Sequence, residues 1–409
     1  MQRSRRQNRD FSISGLRRHY TDPFALYDSL RVHDSIYYDE SSRCWLVTGH
    51  GPVTAILDDP RFSSRLGDNN EMTLVSKQMV FMDGEEHRRR QSVMLRPLAQ
   101  MVKTMPQAIR KFAMEGLEKL QRIGEMDVVN DFASHISLMG IAHVLGMPLD
   151  DPEQLVQLER WSDTFGDVTS GYFRGDMEDV TRLEEYFRQL IAHKREHPDP
   201  DAHDLISGFI EAKDVFPDDE DLVANCMMVF AAGRITTKKL LGNGIEILLN
   251  HWDEVQKAFQ ENPKTATKML GEELLRMITP THCLIRQATE DVDLSAQFAG
   301  NHKIRQGDRL LLFLEAANYD PASFSCPAQF DPQRRPNKQI AFGFGPHQCP
   351  GATLARLEIQ VALEVLLSIV DLSAREDMKP IWNPNPNLGG YISFQVVSES
   401  AKKEAATRP

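Results

Sequence analysis

The chain has 409 residues, 41% apolar and 26% charged, a balance that excludes a wholly disordered protein. Its formal net charge of −12, with no basic stripe interleaved with aromatics, argues against a nucleic-acid partner, because phosphate contacts need clustered Lys and Arg. No apolar run approaches the roughly 20 residues of a membrane span, and the basic N-terminus lacks the apolar core of a signal peptide; the expectation is a cytoplasmic protein with no membrane partner.

Polar ends at 1–12 and 400–409 flank a chain without a Pro/Gly/Ser linker, so residues 1–409 read as a single domain with flexible tails. A helix over 23–33 leads into the strands "SIYYD" and "CWLVTG", which the turn residues of "ESSR" fold into a hairpin. From Glu86 to about Gln260 the apolar spacing is helical: "EEHRRRQSVMLRPLA", "PQAIRKFAMEGLEKLQRI", "ASHISLMGIAHVLG", "DPEQLVQLERWSDTF", "MEDVTRLEEYFRQLIAHKR", and a long stretch from Asp221 to about Asn250. "TATKMLGEELLRMI" forms another helix, which Pro280 stops. Short strands follow in "IRQATEDVDL" and "RLLLFLEAAN", then coil to Pro336, a Gly-rich loop, and a last long helix in "TLARLEIQVALEVLLSIV". "GGYISFQVV" reads as a closing hairpin. With no internal repeat and no strand–helix alternation, the fold class is mainly α with a small β region.

Cys44, Cys226, Cys283, Cys326 and Cys349 are scattered and form no C-x-x-C pair, so neither a disulfide framework nor a zinc site is expected. Cys349 differs in its neighbours. In "FGFGPHQCPG" (342–351), Gly343 and Gly345 permit backbone conformations and close approaches that a Cβ forbids. The free N–H groups of the following helix favour a thiolate, and a thiolate on haem iron favours O–O cleavage. The plain alternative is a buried thiol in a capping loop.

Phe342, Gly343, Gly345, His347, Cys349 and Gly351 fill the pattern F-G-x-G-x-H-x-C-x-G, and in this the chain resembles the cytochrome P450 family. "EELLR", "IRQATED", "AANYDP" and "FDPQRRPNKQIAFGFG" match further family landmarks in order, and "DPFALYDSLR" and "CWLVTGHGPVTAILDDPRFSS" are similar to soluble bacterial members. The resemblance implies the P450 fold, with haem b between the long central helix and the Cys-loop and final helix, and Cys349 as the iron ligand. Glu273, Arg276 and Arg334 would form a buried structural triad. His87, Arg286 and His347 would donate to the haem propionates, while Gln91 stands where the family usually has an arginine, leaving Arg89 or Arg90 as substitutes. Phe342, Gly343, Ala232 and Gly233 would touch the haem. Thr236 and Thr237 would act on the oxygen side. Val80, Phe81, Phe165, Val229, Thr281 and Tyr391 would line the substrate pocket. Partners would be a ferredoxin or similar electron donor and a small-to-medium organic substrate such as a specialised metabolite, acted on by a monomer.

"FAAGRITTKKLLGNG" resembles the family's oxygen-activation segment, with Ala232, Gly233 and Thr236 in register, but the acid that normally precedes the threonine is Ile235. No Asp or Glu lies between Ala224 and Gly244. Arg234 falls about 200° round the helix from Thr236 and so points away from it. Oxygen activation consumes protons that an isoleucine does not deliver. Ordered water, a group on the substrate, or an atypical chemistry using peroxide or one-electron coupling remain as routes.

Neither a nucleotide fingerprint nor an Fe–S cysteine spacing occurs, so electrons come from a separate protein or from peroxide. Arg88, Arg89, Arg90 and Lys338 would offer an acidic donor a positive patch. A non-catalytic haem protein is the reading from another class. If the missing acid limits turnover, Ile235→Glu should raise reductase-coupled turnover or lower peroxide leakage; tight coupling in the parent and no effect in the variant would refute the idea.

Overall fold

Helix α1 (Phe24–His33) precedes strands β1 (Ile36–Asp39) and β2 (Cys44–Val47), helix α2 (His50–Asp58), strand β3 (Phe62–Ser63) and helix α3 (Thr73–Ser76). Next come α4 (Gly84–Met101), α5 (Met105–Gly116), α6 (Glu118–Ile123), strand β4 (Glu125–Asp127) and a π-helical turn at Val128–Ser134. The helical body continues with α7 (His135–Leu145), α8 (Pro152–Thr169), α9 (Met177–Glu196), α10 (Leu205–Glu211), α11 (Asp219–Asn250), α12 (Trp252–Glu261) and α13 (Pro263–Ile278). Strands β5 (Cys283–Ala288), β6 (Val292–Asp293), β7 (Lys303–Ile304) and β8 (Arg309–Phe313) lead to α14 (Leu314–Asn318) and α15 (Ala352–Leu366). The chain ends in β9 (Leu372–Ala374), β10 (Ile381–Asn383), β11 (Gly390–Ser393) and β12 (Gln395–Ser398). This computed structural model describes residues 24–65, 73–170, 176–369, 371–383, 385, 387–401 and 403. The proposed N-terminal tail, 1–12, and most of the C-terminal one lie outside the described residues.

Helix starts follow local chemistry. The carboxylates of Asp151, Asp176, Asp204 and Asp218 each accept a backbone N–H at the first turn of α8, α9, α10 and α11. The 32 residues of α11 are apolar on nearly every side, so the helix runs through the interior, packed by α7, α8, α9, α13, α15 and the π turn. Among the described residues one stretch, Val128–Leu145, is long and apolar enough to cross a membrane, but 78% of it is buried in this core. A five-stranded sheet in the order β1-β2-β8-β5-β3, parallel only between β2 and β8, carries a second apolar cluster.

Three expectations change. The single helix over 106–123 breaks after Gly116, where a Cβ would lie 3.1 Å from the Asp131 carbonyl as the π turn crosses. "LEAAN" leaves the strand to form α14. The closing hairpin does not form: β11 pairs with β10, whereas β12 pairs with β4 and β9. Buried Phe394 separates them, its N–H donating to Asp127 Oδ1 at 3.2 Å.

The coil between α14 and α15 is organised by α13. Glu273, fully buried, accepts from Arg276 at 2.8 and 2.9 Å, from Arg334 Nε at 3.2 Å, from the Asp331 N–H at 3.0 Å and from Asn337 Nδ2 at 3.1 Å. Arg276 spends its remaining donors on the carbonyls of Asn318, Pro327 and Gln329. Glu273→Ala should therefore cost about 3–5 kcal/mol in urea unfolding by leaving two enclosed guanidinium groups without their anion; a loss below about 1 kcal/mol would show the triad to be dispensable.

Candidate functional site

Along the buried α11, Ala232 is exposed and Gly233 and Thr236 are half-buried. Ala232, Thr236 and Lys239 fall within about 60° of one another, so one stripe grades from exposed Ala232 through half-buried Thr236 to buried Lys239 and borders an accessible hollow at its Ala232 end. Thr236 donates to the Ala232 carbonyl at 2.8 Å, which leaves its lone pairs as acceptors toward that hollow. Gly233 serves a different contact. A Cβ there would sit 2.8 Å from Ile141 Cγ1, so its small size admits α7. Buried Thr237 donates at 3.4 Å to Glu358 of α15.

The far side of α11 holds the roof helix α8. Arg234 is fully buried and donates to Ser162 Oγ (2.5 Å), Ser134 Oγ (3.5 Å), Glu159 Oε1 (3.3 Å) and the Glu159 carbonyl (3.1 Å), and it pairs with Asp163. Lys238 adds a pair to Glu159 at 3.2 Å. Arg234 is thus a structural cation and not a substrate contact. Ile235 nests in the notch at Gly166, whose missing Cβ provides the space. That packing changes the outlook for Ile235→Glu: the carboxylate would displace an apolar contact before it could add a proton.

The loop before α15 turns through Gly343 (φ 73°) and Gly345 (φ 70°), and a Cβ on Gly345 would lie 2.8 Å from the Leu57 carbonyl. The Cys349 N–H donates to the Phe342 carbonyl at 2.9 Å, and Arg356 stacks 4.5 Å over the Phe342 ring. Cys349 is accessible although protein surrounds it on most sides, the condition of a side chain lining an internal hollow. Burial pushes its thiol up, outweighing the Gly351 N–H and Arg356, which pull it down. The helix terminus alone therefore does not make the thiolate; a bound metal ion would.

His87 and His347 stack at 4.0 Å, and Arg286 lies beside them. His347 Nε2 is 3.4 Å from Asp83 Oδ1 and 3.3 Å from Ser64 Oγ. Burial, with His347 and then Arg286 adding to it, pushes His87 down to about 4, so its ring is neutral at pH 7. Arg286 is buried and its only hydrogen bond among the described residues runs to the Ile285 carbonyl (2.8 Å); none of the described carboxylates lies within ion-pair distance, Asp83 acting on it only from further off. An enclosed guanidinium without such a pair, beside two imidazoles, fits the carboxylates of a haem. Accessible Cys349 and exposed Ala232 on α11 fit its iron and its face. The residues present therefore suit the group.

Neither Arg89 nor Arg90 replaces the arginine missing at Gln91. Arg89 pairs with Asp214 (2.7 Å), and buried Arg90 pairs with Asp221 (2.9 Å), while Gln91 reaches the Pro346 carbonyl at 3.4 Å. The positive patch also shrinks, because Arg90 is enclosed and Arg88 is tied to Glu85. Of the pocket candidates, Phe165 and Val229 sit in the main core, Phe81 is half-buried and Val80 is exposed. Thr281 is half-buried between two residues that Lys239 binds. Tyr391 is held by Asn243 (2.8 Å) and Glu246 (2.7 Å); Asn243 continues the stripe of Thr236 and Lys239, about 10 Å along α11 beyond Thr236. A polar cleft of about 370 Å³ at Glu115, Lys119, Asp131 and His135 already pairs its own charges.

Sequence reasoning missed Glu358 and Lys239. The signal was present: Glu358 stands four residues after Leu354 and three before Val361, an acid on the buried stripe of α15. Burial pushes it up to about 8 against the opposing pull of the Thr237 hydrogen bond, and its Oε1 has no hydrogen-bond partner among the described residues.

Residues 46–390 match the family model for cytochrome P450. The chain is 32% identical over 368 residues to the biotin biosynthesis cytochrome P450 of Bacillus subtilis (strain 168), covering 85% of this chain and 88% of that one. It is 30% identical over 338 residues to the mycinamicin VIII C21 methyl hydroxylase of Micromonospora griseorubida, covering 79% and 82%. The crystal structure of P450BioI in complex with hexadec-9Z-enoic acid-ligated acyl carrier protein superposes with a TM-score of 0.84 at 28% identity, over 94% of this chain and 100% of that one.

Glu358 has a measurable consequence of its own. A carboxyl raised from 4.5 to about 8 on folding holds an extra proton in the native state between those values, so stability falls as pH rises through that window. Glu358→Gln should remove the loss, leaving stability near the parent's at pH 5 and raising it by up to roughly 4 kcal/mol at pH 9 in chemical denaturation; parallel pH profiles would refute the assignment.

Proposed function

Because the chain belongs to the cytochrome P450 family, and is with it a monooxygenase, we propose that Cys349 ligates the iron of haem b and that the enzyme oxidises a small-to-medium organic metabolite with electrons from a separate ferredoxin-like protein. The observation that carries the reading is the accessible Cys349 in its glycine-turned loop at the head of α15, with α15 bonded through Glu358 to α11 beside the stripe of Ala232 and Thr236. Arg286, His87 and His347 would hold the propionates, and Phe342 and Ala232 would border the ring. Held there by the Cys349 thiolate, the haem would supply the chemistry of dioxygen activation.

The chain's own residues then manage protons. Thr236 presents acceptor lone pairs. Glu358, neutral at pH 7, keeps a proton on a carboxyl in contact with Thr237 Oγ1, one residue from Thr236, and so stands in for the acid absent at Ile235. Similarity to a biotin biosynthesis cytochrome P450 and to a mycinamicin VIII C21 methyl hydroxylase supports a metabolite substrate. We further propose a cytoplasmic monomer with a single domain.

A second reading, oxidation driven by peroxide, is favoured by the apolar packing of Ile235 against Gly166. The two separate in one experiment. The haem-loaded parent should show the thiolate carbon monoxide band and Cys349→Ala should lose it. With a surrogate ferredoxin and reductase, Glu358→Gln should release several-fold more hydrogen peroxide per NADPH consumed. Product oxygen drawn from labelled peroxide with no reductase present would favour the second reading.

A further inference from the structure

Lys239 is a buried lysine on the stripe of α11 that carries Ala232 and Thr236, one turn beyond Thr236. An ammonium inside a fold needs an acceptor for each N–H. Its Nζ donates to the Pro280 carbonyl at 2.6 Å, to His282 Nε2 at 2.8 Å and to the Asn387 carbonyl at 3.5 Å. Two of these acceptors are main-chain oxygens from segments far apart in sequence, so the side chain positions backbone.

The same segments are bonded to each other. The His282 N–H donates to the Asn387 carbonyl at 3.3 Å, and the Cys283 N–H to Asn387 Oδ1 at 3.0 Å. Asn385 extends the connection to the end of α8 through Asp167 Oδ1 (2.7 Å) and Ser170 Oγ (3.0 Å), and Leu388 reaches the Gly166 notch. The counter-charge is Glu315 of α14. Its Oε1 lies 3.6 Å from His282 Nε2 and its Oε2 accepts from Tyr27 at 3.1 Å. Burial lowers Lys239 and raises Glu315, with each charge opposing the shift of the other.

We propose that Lys239 is a positioning residue for substrate selection: its ammonium clamps the segments bearing Thr281 and Leu388 against α11, and this sets the width available above Ala232 and Thr236. The inference rests on the reading of that face as the haem-facing wall. Without the ammonium, three elements lose their common anchor, and the loss falls on ligands large enough to touch the walls.

The test uses the haem-loaded protein with imidazole and 4-phenylimidazole as probes. Both bind haem iron through nitrogen, but only the second needs the space beyond it. Lys239→Met alone would strand the Glu315 carboxylate, so the informative protein is Lys239→Met with Glu315→Gln, which removes both charges at similar volume. It should keep the thiolate carbon monoxide band and its thermal midpoint, bind imidazole within about twofold of the parent, and bind 4-phenylimidazole about tenfold more weakly. Unchanged affinity for both probes overturns the proposal, as does an equal loss for both, which would report on the iron alone. A parent protein that shows no spectral change with either probe removes the haem reading, and the proposal with it. Should the double variant not fold, hydrogen exchange in the parent decides. One shared opening rate for the amides of His282, Cys283 and 387–391 supports the clamp, and separate rates sink it.

Discussion

A single carboxylate, Glu273, organises the part of the chain that has least regular structure. Removing it from water is costly, and two guanidinium groups, an amide side chain and a main-chain N–H together offset that cost. Since Arg276 also binds the carbonyls of Asn318, Pro327 and Gln329, the coil after α14 is held from within by α13. Asn318 passes the constraint on, accepting from the Ile340 N–H at 2.9 Å just ahead of the cysteine loop and donating to Thr279 at 2.8 Å. The position of Cys349, and of the Pro280 segment over α11, both derive from this hub.

α11 divides its chemistry by face. Arg234 and Lys238 bind the acids of α8, Ile235 fills the hollow at Gly166, and together they fasten the roof. The opposite side presents Ala232 and Thr236, with Thr237 touching the acid of α15 and Lys239 gathering the Pro280 and Asn387 segments. A helix without a carboxylate of its own between Ala224 and Gly244 is thereby served by acids from α8, α14 and α15. Their proximity results from packing: the sequence of α15 shows an acid on a buried stripe, but not which helix it meets.

Much of the fold was legible because periodicity and capping act over a few residues. The long central helix, the helix ended by Pro280, the first hairpin and the final helix were each readable from such patterns. What failed were features set by distant partners. The break after Gly116 depends on a crossing backbone, the strand exchange at Phe394 on Asp127, and the helical turn of "LEAAN" on its place beneath the sheet. At the site, Gly233, expected to touch the haem, also gives room to Ile141.

By itself the sequence determined the family, the mainly α architecture and the loop that carries Cys349, because these lie in contiguous motifs whose spacing suffices. Only the tertiary structure decided that Arg90 and Arg234 are structural, that Arg286 is enclosed without an ion pair among the described residues, and that Glu358 and Lys239 stand on either side of Thr236. The reason is desolvation: whether a charged side chain is a surface ornament, a tie or a working group depends on which atoms replace its water, and those come from segments 41 to 148 residues away.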